Sequence, residues 1–306
     1  MPLSRLRTAL PDLLLVLSAL VWATSYGVTQ SALHWVPVAA LLALRFGLAC
    51  LLLAPAWLRL RLPRADWLRV VGLGVLVLLT LALECQGVLH TSAAHAALLI
   101  SLCLVFTPLA EWAWLGRRPR QIEIAGCALS LAGVVLLTAT GGLRWQPGDT
   151  LLFAAAFSRT ALVVLTRQQM LRRPVPALAL TGVQSGVVAL GALAALCLLP
   201  GQAPTASGLA HGALWQALAW LVLGCTVFAT AAQNLGARHR SATRVAVLSG
   251  CEPAFGAVFA ALWLGEHLAG WEWAGAALIV CGALVAVLPA PTPRAAISPA
   301  ASAGTG

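Results

Sequence analysis

The sequence predicts an all-α integral membrane protein: ten transmembrane helices arranged as two inverted five-helix repeats, with both termini in the cytoplasm. Three observations carry this: composition, the placement of arginines, and a self-match at a fixed offset. Hydrophobic residues make up 60% of the 306 residues and charged residues 9%, and the mean hydropathy is +0.91. That leaves too little polar surface to cover a water-soluble globule.

Crossing about 30 Å of hydrocarbon takes roughly 20 apolar residues of helix. Runs that meet this need lie near 13–32, 37–57, 67–87, 93–114, 122–139, 150–168, 176–199, 213–234, 243–264 and 272–289. Each is continuously apolar, whereas barrel strands would alternate with period two, so helices are expected. Short connections make neighbouring helices antiparallel. The first run follows Arg5 and Arg7 and superficially resembles a secretory signal, but nine further runs favour a retained first helix. Residues 290–306, rich in Ala, Pro, Ser, Thr and Gly, are expected to form a disordered tail.

All nineteen basic residues are arginine. With a cytoplasmic N-terminus, Arg5, Arg7, Arg59, Arg61, Arg64, Arg69, Arg117, Arg118, Arg120, Arg167, Arg172, Arg173, Arg238, Arg240, Arg244 and Arg294 fall on the cytoplasmic side. Arg144 alone falls outside, and Arg45 and Arg159 lie within spans. This bias supports ten spans with both ends inside. The net charge of +10 is then an orientation signal, with attraction to anionic lipid as a by-product, and implies no nucleic acid. Trp35, Trp57, Trp67, Trp114, Trp215, Trp263, Trp271 and Trp273 sit at span ends, where an amphipathic ring anchors at headgroup level. The eight cysteines lie inside spans without close-paired spacing and read as small packing residues.

Sliding the chain against itself by 149 residues aligns "SAAHAALLISLCLVFTPLAEWAWLGRR" with "SATRVAVLSGCEPAFGAVFAALWLGEH" without a gap. The match runs on through the next helix, pairing Trp114 with Trp263, Gly116 with Gly265, Glu123 with Glu272, Gly126 with Gly275 and Gly133 with Gly282. These residue types are not interchangeable apolar filler, so the chain divides into two five-helix halves, 12–139 and 149–289. Because five is odd, the second half enters from the opposite side and the repeats are inverted. Many alternating-access transporters are built this way, with the substrate site near mid-membrane.

The motifs "WATSY" (Trp22 to Tyr26) and "LRF" (Leu44 to Phe46), with a serine-alanine start and a "WLG" end to the fourth and ninth spans, give the chain a family resemblance. It resembles the drug/metabolite transporter superfamily, specifically the EamA-type ten-helix transporters. The resemblance implies a secondary transporter, often an exporter of amino acids or other small metabolites. It also implies a central cavity walled by helices one to four and six to nine, with the fifth and tenth peripheral. Trp22, Ser25 and Tyr26 would then fall on a cavity-lining helix. The family often carries glutamate after "LG" in both halves, and here Arg117 replaces the first while Glu266 keeps the second.

Charges inside a membrane need a partner, a wet cavity or an interface. Counting about 1.5 Å per residue, Glu84 and Glu111 lie near span ends and are assigned structural roles, Glu111 within reach of Arg117 and Arg118. Arg45, Arg159 and Glu252 lie near mid-membrane, about 12 to 16 Å from the outer boundary. One reading makes an arginine and Glu252 a fixed pair holding the halves together. The other leaves a guanidinium over for an anionic substrate group, or makes Glu252 a proton carrier. Pro253 withholds the amide that would bond the Ser249 carbonyl, creating a polar niche beside Glu252, and the break is expected in this helix and not in its repeat mate. His95, one turn into the fourth span, reads as a gating residue or a water-facing one. Glu252, Pro253, Arg45, Arg159, Trp22, Ser25, Tyr26 and His95 form the expected translocation site.

No HExxH, Walker-type GxxxxGK[ST], carboxylate cluster or nucleophile elbow is present, so neither an enzyme, a metal site nor a cofactor is expected. A channel lacks a filter-like loop, and a non-transporting scaffold or sensor stays open as the alternative. Expected partners are a small-molecule substrate and the lipid bilayer, with a homodimer as an open option.

Overall fold

A computed structural model describes residues 3–91, 93–138, 146–263 and 269–288, and among them all regular structure is helical. The first half comprises α1 (Leu3–Leu33), α2 (Val38–Leu52), the short α3 (Ala54–Trp57), α4 (Arg64–Val88), α5 (Ala93–Ser101), α6 (Cys103–Leu115) and α7 (Gln121–Leu137). The second comprises α8 (Pro147–Arg172), α9 (Ala177–Leu198), the short α10 (Ala206–Leu209), α11 (Gly212–Trp220), a π-helical segment (Leu221–Phe228), α12 (Ala229–His239), α13 (Ala242–Ser249), α14 (Glu252–Trp263) and α15 (Gly270–Val287). The expected tail lies outside the described residues.

Seven helices among the described residues are long and apolar enough to cross a membrane, including Ala96–Leu115, Pro147–Arg172 and Gly212–His239. The runs at 37–57 and 122–139 form shorter apolar helices, Val38–Leu52 and Gln121–Leu137. The run at 243–264 is not one helix: it breaks at Gly250 and Cys251 between α13 and α14. Pro253, the second residue of α14, explains why the new helix starts there, since a ring without an N–H costs nothing in a first turn. The interruption therefore precedes the proline. Nor is it confined to one half, as the sequence suggested: α5 and α6 are separated at Leu102, 149 residues before Cys251. Leu102 keeps helical angles (φ −60°, ψ −17°), and its N–H bonds Leu99 O in a tightened turn.

Small residues bring backbones together. On α7 and α15, a Cβ added at Gly126 would stand 2.7 Å from Gly282 O, and one at Gly133 would stand 2.6 Å from Gly275 O. Ser130 Oγ donates to Ile279 O at 3.4 Å across the same seam. Between α4 and α8, Thr80 and Ser158 share a 2.8 Å hydroxyl bond, and a Cβ on Gly87 would collide with Leu152 Cγ at 2.6 Å. Close approach maximises dispersion contact where lipid offers no hydrophobic drive, and polar side chains add hydrogen bonds. Asn234 on α12 does so by donating to Thr181 Oγ1 (3.0 Å) and Gln184 Oε1 (2.9 Å) on α9.

Candidate functional site

Two polar regions stand apart. The first lies mid-molecule, where α4, α8 and α14 meet. The Thr80–Ser158 bond and the Gly87–Leu152 contact set the register of α4 against α8, with Glu84 between them and Arg159 next after Ser158. Arg159 Nε stands 3.8 Å from Glu84 Oε1, and Arg159 Nη2 stands 4.0 Å from Glu252 Oε2. Side-chain exposures of 28% for Arg159, 20% for Glu84 and 12% for Glu252 leave part of each open to a ligand. Glu84 Oε1 accepts no hydrogen bond among the described residues, and neither does buried Ser249 Oγ at the end of α13. One guanidinium thus serves two carboxylates at distances beyond a hydrogen bond.

Arg45 does not join this group. Its Nε donates to Thr226 Oγ1 at 2.7 Å in the π-helical segment, where Thr226 in turn donates to Leu221 O at 2.9 Å. The Trp22 indole donates to Cys225 O in the same segment at 2.8 Å. Wider π-helical turns bring out backbone and hydroxyl groups that an α-helix would keep to itself, and here α1 and α2 bind them.

The second region caps the arginine-rich end. Gly116 closes α6 in the left-handed conformation (φ +68°), its N–H bonding Trp112 O, and the turn carries Arg117 back over two carboxylates. Arg117 Nη1 reaches Glu111 at 3.2 Å and Nη2 reaches Glu123 at 3.0 Å. Glu111, wholly buried, also accepts from the N–H groups of Ala242 (3.0 Å) and Thr243 (2.9 Å) and from the Thr243 hydroxyl (2.6 Å), capping α13. Ser241 Oγ donates to Glu123 at 2.8 Å, and Asp12 on α1 takes Arg240 and Arg244 at 2.7 to 2.9 Å. Arg167 donates to the carbonyls of Ala237 (3.0 Å) and Arg238 (2.7 Å) at the end of α12.

Sequence counting puts Arg159 and Glu252 at a common depth, and they stand 4.0 Å apart, but two other groups lie elsewhere than expected. Glu84, assigned a structural role near a span end, stands beside Arg159 in the central cluster, which therefore holds two carboxylates. No surplus arginine results: Arg159 is shared and Arg45 is bonded to Thr226. The missed signal is the stripe Thr80, Glu84, Gly87, one face of a helix carrying a charge between two close-packing residues. Trp22 is a tie between α1 and the π-helical segment. Ser25 is half-buried on α1, while the side chains of Tyr26 and His95 lie outside what is described, as does Glu266. All eight cysteines are free thiols.

Known proteins place this geometry in context. The sequence profile of the EamA-like transporter family matches residues 9–139 and again 146–288. An "uncharacterized transporter" of Archaeoglobus fulgidus is 28% identical over 270 residues, 83% of this chain and 89% of that one. A "probable terminal-alkyne amino-acid exporter" of Streptantibioticus cattleyicolor is 28% identical over 292 residues, covering 89% and 91%. A "probable amino-acid metabolite efflux pump" of Salmonella typhimurium is 28% identical over 282 residues, covering 90% and 93%. A solved crystal structure superposes with a TM-score of 0.76 at 25% identity, over 91% of this chain and 98% of that one. With both profile matches together spanning most of its length, the chain is a multi-pass membrane protein that belongs to the EamA-like transporter family.

Proposed function

We propose that the protein exports amino acids or similar small metabolites across the cytoplasmic membrane by alternating access, using the Glu84–Arg159–Glu252 cluster as its working site. The observation that carries this is the spacing of that cluster: Arg159 stands 3.8 Å from Glu84 and 4.0 Å from Glu252, all three are partly uncovered, and α4 and α8 are long and apolar enough to cross a membrane. Charges so placed are costly unless they have a use. A ligand carboxylate can take the guanidinium bidentately, and a ligand ammonium or a proton can take the carboxylate so released. Arg45 and Thr226 form the adjoining wall, with Trp22 and Ser25 on α1. Two relatives named for amino-acid export support the substrate class.

The moving parts are two inverted halves, 12–139 and 149–289, of five transmembrane helices each, with both termini inside. In support, Gly126 meets Gly282 while Gly133 meets Gly275, a swap of partners across the 149-residue offset, and Ser130 bonds Ile279, its own offset mate. A two-fold axis passing between α7 and α15 produces that pattern. Glu123 and Glu272 repeat one start signal, accepting from the N–H groups of Arg120 (2.9 Å) and Ala269 (2.6 Å).

The test compares efflux of the standard amino acids from cells with and without the protein. Parent protein lowers retention of at least one, and Arg159→Gln at equal membrane level abolishes the difference. Undiminished efflux by Arg159→Gln would remove the cluster from the mechanism.

A further inference from the structure

A recess lies where α4 and α8 part. Near the middle these helices touch through Thr80 and Ser158, and beyond that through Gly87 and Leu152. Toward the arginine-rich end the seam opens into a recess of about 250 Å³ lined by Arg69, Gly72, Leu73, Leu76, Gln169 and Arg172, among others. A Cβ placed on Gly72 would meet nothing within 4 Å, so the open space lies directly over it. From Arg69 to Leu76 the wall descends about 10 Å, at 1.5 Å per residue, from cationic to apolar.

Charge at the mouth is unbalanced. Asp66 is paired with both Arg69 (2.9 Å) and Arg173 (3.3 Å), while Arg172 has no ion-pair partner among the described residues. Gln169, 2% exposed, donates to Arg173 O at 3.2 Å and leaves Oε1 without a donor. The combination suits a molecule with an anionic oxygen, a hydroxyl and an apolar tail.

We propose that this recess binds one anionic phospholipid, its phosphate against Arg69 and Arg172, its headgroup hydroxyl toward Gln169 and its first acyl carbons on Leu73, Leu76 and Leu165. Basic recesses between transmembrane helices suit such headgroups, and each arginine adds about fivefold to the attraction of an anionic surface. The site is independent of the transport reading, because Glu84, Arg159 and Glu252 are not among the residues that line it.

The full chain is reconstituted in phosphatidylcholine vesicles with and without phosphatidylglycerol, then extracted, and the retained phosphatidylglycerol per chain is counted by native mass spectrometry. The parent retains one. Gly72→Leu fills the recess without removing charge and loses it, Arg172→Gln retains about fivefold less, and Arg59→Gln, which removes an equal charge elsewhere on that end, retains as much as the parent. Should Gly72→Leu fail to fold, Arg172→Gln and Arg59→Gln carry the comparison alone. Equal losses in those two, or no retained phosphatidylglycerol in the parent, would overturn the site. A rise in thermal midpoint with inorganic phosphate equal to that with phosphatidylglycerol would overturn the lipid as occupant.

Discussion

The central cluster and the arginine-rich end use the same residue types and treat them oppositely. Glu111 and Glu123 have no exposed surface and accept bonds of 2.6 to 3.4 Å. Glu84 and Glu252 are partly uncovered and stand 3.8 and 4.0 Å from their shared arginine. Full satisfaction fastens helices, because removing one partner leaves a buried charge uncompensated. Loose spacing fastens little and leaves capacity for a ligand. One region is closed by its own hydrogen bonds, and the other is the working site we propose.

That contrast can be broken by substitution. The largest loss of stability is expected for Glu111→Ala, about 3–5 kcal/mol, because Arg117, Thr243 and the first turn of α13 lose their acceptor together. Thermal unfolding in detergent measures it. Next comes Gly282→Leu, at about 1–3 kcal/mol, since the side chain would enter Ser130 and the Gly126 carbonyl on α7. Thr226→Val is smaller, about 1 kcal/mol by the same assay, for the loss of a hydrogen bond to Arg45 and one to Leu221 O. Smallest is Glu252→Gln, below about 1 kcal/mol, as its ion pair is too long to contribute more. Reversal of the first and last would erase the distinction between the two regions.

Much of the fold was legible in the sequence because the bilayer imposes length and charge rules that each helix must obey by itself. Arg159 and Glu252 could be placed at a common depth by counting along their helices. Counting gives depth and no direction, however, so Glu84 was separated from Arg159, although Thr80 and Gly87 mark the face of α4 that meets α8. Pro253 announced an interruption, while its place at the start of α14 depends on Gly250 and Cys251 ending the preceding turn. At Leu102 no glycine or proline signals the change. The π-helical segment over Leu221–Phe228 is likewise silent, since its stabilising partners, Trp22 and Arg45, come from about 180 to 200 residues away.

The most direct test of this division puts Arg159→Gln and the parent into vesicles and measures, on the same preparations, thermal midpoint and counterflow of the amino acid found in the efflux comparison. The account predicts loss of counterflow with a fall in midpoint smaller than that of Glu111→Ala, because the ion pairs to Glu84 and Glu252 are 3.8 and 4.0 Å long whereas Glu111 accepts three bonds of 2.6 to 3.0 Å from α13 and its N-terminal turn. Counterflow at the parental rate, or a collapse of stability like that of Glu111→Ala, would contradict it.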